Sequence, residues 1–282
     1  MTAFRTILVY LDQDANSASK LPIATGLARA FAAHLVGIYL DDSLQITPSV
    51  AALLPRDIVA DRLRSAAGAQ HAAEHLYRQA AAAAALPDVE WRAPAGAPID
   101  AAVAHARCSD LAIVGQPDLW QAEWSFAAQL ATAVLLESGQ PVLFVPHVGT
   151  PPSAGANILA AWDGGREASR ALADAIPLLS RARQVTIACL DPAAATRGAD
   201  PAGRDRLSAY LRGHGISARI ECDNLGRGDI AVGDWLLSRA ADLGADLIVM
   251  GGYGRPQWRE RVLGGATRAL LQTMTVPVFM AH

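Results

Sequence analysis

The sequence predicts an α/β protein built as two tandem doubly wound units, each a five-stranded parallel sheet wrapped by helices. Three observations predict it. Short, continuously apolar runs alternate with helix-like stretches; the runs recur in the same order in the second half; and 282 residues suffice for two units of about 140 each. Runs that are apolar throughout belong to strands buried on both faces, the environment of a parallel sheet covered by helices.

The repeat is legible residue by residue. Ile7-Leu8-Val9-Tyr10-Leu11-Asp12 returns as Ile158-Leu159-Ala160-Ala161-Trp162-Asp163, an apolar run closed by an aspartate, 151 positions later. Asp110-Leu111-Ala112-Ile113-Val114-Gly115 returns as Asp246-Leu247-Ile248-Val249-Met250-Gly251, and Pro141-Val142-Leu143-Phe144 as Pro277-Val278-Phe279-Met280, both at an offset of 136. Leu40-Asp41 matches Leu190-Asp191 at 150, so the first copy carries about 14 extra residues after its second strand. The stretch Asp42 to Asp61, with Pro48 and Pro55, is the expected insertion. The expected domains are 1–147 and 157–282, joined by a linker from Val148 to Ala156 that holds Gly149, Pro151, Pro152 and Gly155.

In the second copy the runs place strands at 157–162, 184–190, 217–222, 245–250 and 276–280. Helical stretches fall between them at Arg166–Leu179, Asp205–Arg212, Ile230–Leu243 and Gly265–Thr273. In the first copy the alanine-rich stretch Ala66 to Ala85 reads as a helix. The final strands, Val142–Val145 and Val278–Met280, are expected to bring the copies together as an internal pseudo-dimer.

Composition narrows the function. Hydrophobic residues make up 52% and charged residues 18%, which argues against disorder. A formal net charge of -3 gives no general basic field for nucleic acid or anionic lipid. Cys108, Cys189 and Cys222 show no metal-cage or C-x-x-C spacing and read as reduced thiols. No run has membrane-spanning length and the first apolar run is too short for a signal-peptide core, so the expected compartment is the cytoplasm. Lys20 is the only lysine, which confines any Schiff-base or P-loop lysine chemistry to a polar stretch, Asn16 to Lys20.

Doubly wound sheets bind ligands beyond the carboxyl ends of their strands. There the second copy carries Gly251-Gly252-Tyr253-Gly254, nine residues, then Gly264-Gly265-Ala266-Thr267 opening a helix. Glycines at Gly251 and Gly254 permit positive φ and close approach of a ligand to the backbone. A helix N-terminus after Gly264 presents free N–H groups and a favourable dipole to an anion. Arg255, Arg259 and Arg261 add positive charge. The first copy lacks this loop: Gly115 is followed by Gln116-Pro117-Asp118, and the stretch Leu119 to Phe126 has no glycine pair, so no nucleotide is expected there. Trp120, Trp124 and Phe126 are expected to pack the vacated site or the other copy.

The G-x2-G-x9-G spacing, with Asp163 and the closing Val276-Pro277-Val278, resembles the universal stress protein family, and the resemblance covers the chain as a tandem of two such domains. It implies a five-stranded parallel sheet, frequent dimerisation, and ATP or another adenine nucleotide as ligand in many but not all members. By that resemblance Asp163 contacts the adenosine, Leu190 and Met250 line its pocket, and Gly251, Gly254, Gly264, Gly265, Ala266 and Thr267 hold ribose and phosphates. One departure stands out. The pattern usually has serine or threonine directly after the third glycine, where this chain has Gly265; losing one charge-assisted hydrogen bond costs about 1.5–3 kcal/mol.

Other motifs have simpler readings. His71-Ala72-Ala73-Glu74-His75 has a zinc-peptidase spacing but no third ligand, and reads as a solvated helix face. Gly213-His214-Gly215 follows a helix and precedes a strand, the wrong order for a phosphate turn, and reads as a helix stop. Asp12 reads as a capping or loop residue. No nucleophile–base pair or nucleophile elbow is visible, so no catalytic residue is assigned. The expectation is a stress-response module of the cytoplasm that binds an adenine nucleotide in its second domain. The rivals are a ligand-free protein-interaction module and a slow nucleotide-hydrolysing enzyme.

Overall fold

In the first half of the chain the apolar runs become β1 (Thr6–Leu11), β2 (His34–Tyr39), β3 (Val89–Arg92), β4 (Leu111–Gly115) and β5 (Val142–Val145). In the second they become β6 (Asn157–Trp162), β7 (Gln184–Cys189), β8 (Ala218–Cys222), β9 (Leu247–Gly251) and β10 (Val278–Ala281). Between them run α1 (Lys20–Phe31), α2 (Arg56–Ala83), α3 (Pro98–Ala106), α4 (Phe126–Glu137), α5 (Arg166–Asp174), α6 (Ile176–Leu179), α7 (Pro201–Gly213), α8 (Val232–Leu243) and α9 (Gly265–Thr273). The computed structural model describes residues 3–12, 18–41, 55–117, 125–148, 154–189, 201–222, 232–252 and 265–282. Among these, no helix is long and apolar enough to cross a membrane.

All ten strands join one sheet, in the order β3-β2-β1-β4-β5-β10-β9-β6-β7-β8. Every pairing is parallel except one: β5 and β10 run antiparallel, with Phe144 opposite Val278, Leu143 opposite Phe279 and Val142 opposite Met280. The expected pairing of the last strands is therefore the seam of the molecule, and it merges the two expected sheets into one. These six side chains are essentially inaccessible to water. Burying each contributes about 1.5–3 kcal/mol, so the seam is as much core as the interior of either half.

Alternating side chains of each strand feed two cores. Ile7, Val9, Ile158 and Ala160 face one side, with α1, α2, α5, α6 and α7 packed over them. Leu8, Tyr10, Leu159 and Ala161 face the other, covered by α3, α4, α8 and α9. Helices cover both faces of the sheet, which is why the central strands β1, β4, β5, β9 and β10 are apolar at nearly every position rather than at every second one.

The repeat extends to single hydrogen bonds. The Asp110 carboxylate accepts from the backbone N–H groups of Arg5 and Thr6 at 2.7 and 2.9 Å. Its counterpart Asp246 accepts from those of Gly155, Ala156 and Asn157 at 2.8–3.1 Å. Both aspartates hold the start of their half's first strand, at the amino ends of β1 and β6.

Several elements differ from expectation. The single helix expected over 166–179 is broken at Ala175 into α5 and α6, because Pro177 has no N–H to continue the ladder and its ring blocks the preceding turn. The helix expected from Ala66 begins ten residues earlier, at Arg56, so the later part of the insertion is helix; residues 42–54 lie outside the described set. α2 docks through Tyr77, whose hydroxyl donates to the Leu35 carbonyl at 2.6 Å. Its ring covers Gly37, where a Cβ would lie 2.8 Å from it, so only glycine admits the ring there. On the outer face of α2, His71 Nδ1 bonds the Ala67 carbonyl and Glu74 pairs with Arg78, with both histidines exposed. The Gly213–Gly215 segment ends α7: Gly215 has φ of +76°, and the Ile216 N–H donates back to the Leu211 carbonyl at 2.9 Å.

Candidate functional site

The strand order reverses twice, between β1 and β4 and between β6 and β9, and each reversal opens a crevice at the carboxyl ends of its two strands. The second-half crevice lies between Asp163, directly after β6, and Gly251, the last residue of β9. Asp163 is exposed, and its Oδ1 accepts the Gly165 N–H at 2.8 Å, an Asx turn that starts α5 only three residues after the strand. Gly164, at φ +76°, makes that turn possible.

Gly251 is needed for a different reason from the one its sequence suggested. It is a paired strand residue opposite Ala281, and its φ is not positive. A Cβ on it would lie 2.6 Å from the Ala168 nitrogen and from the Glu167 carbonyl carbon. Its missing side chain is thus what lets the first turn of α5 rest on the end of β9. Met250 is a member of the core on the opposite sheet face, opposite Met280 in the β10 register. Gly265 is the first residue of α9 and Ala266 the second; Thr267, the third, is buried. Gly254 and Gly264 of the glycine loop, the arginines between them, and Leu190 lie outside the described residues.

The first-half crevice contains a group that the sequence reading did not place there. Lys20, the lone lysine, begins α1 and is only 3% exposed despite its polar sequence neighbours. Its Nζ lies 3.7 Å from Asp12 Oδ2, and a Cβ on Gly115 would be 3.7 Å from the same nitrogen. Lys20 therefore spans the gap between the ends of β1 and β4, the position corresponding to that between Asp163 and Gly251. Asp12 is the ion-pair partner of this ammonium. The signal available in the sequence was that one lysine survives in a chain that otherwise uses arginine.

Gln116, which stands where the second half has Gly252, is a second missed residue. Its amide donates to the Leu271 and Gln272 carbonyls at 2.8 and 3.1 Å, closing the C-terminal turn of α9, and its oxygen accepts the His147 N–H at 3.1 Å. Gly252 in turn faces Leu135 of α4, whose side chain a Cβ would approach to 3.0 Å. The residue following the terminal strand glycine thus serves the seam in both halves. Trp120 and Trp124, expected to pack the first crevice, lie outside the described residues; Phe126 opens α4 and packs against the core there. Among the described residues no group of three His, Cys, Asp or Glu side chains is placed to hold a metal ion.

Residues 156–282 match the model of the universal stress protein family. That stretch is a domain of this family. The whole chain also follows the fold of a universal stress protein from Archaeoglobus fulgidus, at 17% identity, with 98% of this chain and 95% of that one aligned and a TM-score of 0.72. A functionally unknown protein from Pseudomonas aeruginosa is similar over 99% of this chain and 92% of its own, at 20% identity and a TM-score of 0.59. Among curated proteins no sequence matches. The structural likenesses extend the universal stress protein fold to residues before 156, which the family model does not reach.

Proposed function

We propose that this tandem universal stress protein binds one adenine nucleotide, at the carboxyl ends of β6 and β9, and that its first half serves as a ligand-free partner domain. The domains are residues 1–147 and 157–282, and the setting is a stress response in the cytoplasm. One observation carries the reading: the only G-x2-G-x9-G sequence in the chain begins at Gly251, the last residue of β9, and ends just before α9, and β9 adjoins β6, which Asp163 follows, at the strand-order reversal. On this reading Asp163 and Leu190 meet the adenosine, and Gly254, Gly264, Gly265, Ala266 and Thr267 supply backbone donors for ribose and phosphates. The N-terminus of α9 contributes the dipole. The ligand-free half is supported by Lys20, whose buried ammonium takes up the corresponding space at β1 and β4.

Calorimetric titration with ATP, ADP and AMP tests this. The wild-type protein is expected to bind one nucleotide per chain, Gly254→Val to bind none, and Gly265→Ser to bind more tightly by tens of fold, the equivalent of about 2 kcal/mol from a hydroxyl on phosphate. Binding of two nucleotides per chain, or of none, sinks the proposal. Gly251→Val is the wrong probe, since it would displace α5 whatever the ligand.

A further inference from the structure

The sheet ends in β3 on one side and β8 on the other. β3 runs beside β2, and the Leu35 N–H donates to the Asp88 carbonyl at 3.1 Å. In a parallel ladder with that bond, residues 88, 90 and 92 turn their backbone groups to β2, and Val89 and Trp91 turn theirs outward. No described strand lies on that outer side. Side chains divide by face. Val89 and Trp91 pack against the core under α2, which leaves Glu90 and Arg92 together on the opposite face. Arg92 donates to Glu90 from Nε and Nη2 at 2.7 and 2.8 Å, yet the two side chains are still 42% and 34% exposed.

Charged residues usually keep such an edge from pairing. Here their order, acid, tryptophan, base, makes the edge match itself. About a two-fold axis at Trp91, a second copy's β3 runs antiparallel, so that Glu90 falls opposite the second copy's Arg92 and Arg92 opposite its Glu90. Both Trp91 backbones point outward and exchange N–H···O bonds, and the charged residues then occupy the closer, non-hydrogen-bonded pairs on either side. We propose that two copies of this chain join through β3, forming one continuous sheet. The molecule already contains a joint of this kind, the antiparallel pairing of β5 with β10.

The other edge is less suited. Arg219-Ile220-Glu221 has a self-matching order too, but Arg239 of α8 holds Glu221, which is only 14% exposed. Nor do the two edges fit each other. Antiparallel pairing of β3 with β8, Trp91 opposite Ile220, sets Glu90 against Glu221 and Arg92 against Arg219. Like charges thus oppose an open, head-to-tail sheet, and the assembly closes as a dimer.

The interface uses no nucleotide, so its test is independent of the proposed function. Sedimentation of the full chain should show a dimer. Glu90→Arg alone and Arg92→Glu alone, each with native circular dichroism, should weaken it by about tenfold or more, because each sets like charges across the joint. Mixing the two variants should restore a dimer holding one chain of each, since the charges then alternate again. Amide exchange of the wild-type peptide carrying Trp91 should slow as protein concentration rises, a readout that needs no variant. A monomeric wild-type chain at about 100 μM would overturn the proposal. So would a dimer that both reversals leave intact, a mixture no more dimeric than its components, or Trp91 exchange independent of concentration.

Discussion

The two halves of this chain share one strand order and close the carboxyl ends of their strands in opposite ways. In the second half, two residues separate Asp163 from α5, and the first turn of that helix settles on Gly251 through bare backbone. In the first half, seven residues separate Asp12 from α1, and the lysine that begins α1 reaches into the crevice instead. A short turn brings the helix to the strand; a long one leaves a gap that a side chain must fill. A buried ammonium is costly unless paired, so Asp12 comes with Lys20. The difference teaches that one fold can close the carboxyl ends of its strands in two ways, by bare backbone contact in the second half and by a paired, buried side chain in the first.

This comparison can be broken at four points, the largest effect first. Gly251→Ala should cost about 2–3 kcal/mol, since the added methyl meets backbone that cannot swing away. Gly115→Ala, with only ordinary contact to the Lys20 chain, should cost less than about 1 kcal/mol. Equal shifts in the urea midpoints of the two variants would abolish the distinction. Next, Asp12→Asn should destabilise by about 2 kcal/mol, below the usual cost of breaking a buried pair because Asp12 is partly exposed. Asp163→Asn should change stability by less than about 0.5 kcal/mol, because the amide oxygen can still accept the Gly165 N–H. If thermal melts ranked these two the other way, the Lys20 pair would not be structural.

Smaller still is the seam. Gln116→Ala strips donors from the α9 carbonyls and should cost about 1 kcal/mol, whereas Gln116→Glu should cost at least as much by facing those carbonyls with negative charge. A neutral result for both would mean that water replaces the amide.

The smallest effect is at the β3 edge. There the hydrogen bond from Arg92 holds the Glu90 carboxyl down at about 2, against the opposing effect of partial burial and with help from His34. Its folded value lies below its unfolded value, so the contribution is complete above the ordinary carboxylate range and is lost as pH falls toward 2. Glu90→Gln should therefore flatten the acid limb of a stability-against-pH curve measured below about pH 5, modestly because the group is half exposed. An unchanged limb would show that the pair contributes nothing.

Much of this architecture was open to reading because strands buried on both faces have few chemical options. Continuous apolar runs such as Ile7–Leu11 and Leu247–Met250 identified themselves, and their repetition implied the duplication and the seam. Boundaries shifted by one or two residues where a strand end is set by its neighbour, as at Leu247 and Val278. The site was legible in position more than in role. Asp163 and Gly251 do stand at adjacent strand ends, yet Gly251 serves helix packing, and Met250 is a core residue on the other face.

What the sequence determined by itself was therefore local and periodic: which segments are strands, which faces are apolar, and that the pattern occurs twice. Tertiary structure alone decided how far a helix start lies from a strand end, and which residues of different strands stand side by side. Those distances bury Lys20, send the Gln116 amide to the end of α9, and set Phe144 opposite Val278. The reason is physical. Hydrophobic periodicity is a property of one segment, but register, helix approach and burial of a charge depend on what another segment brings to the same place.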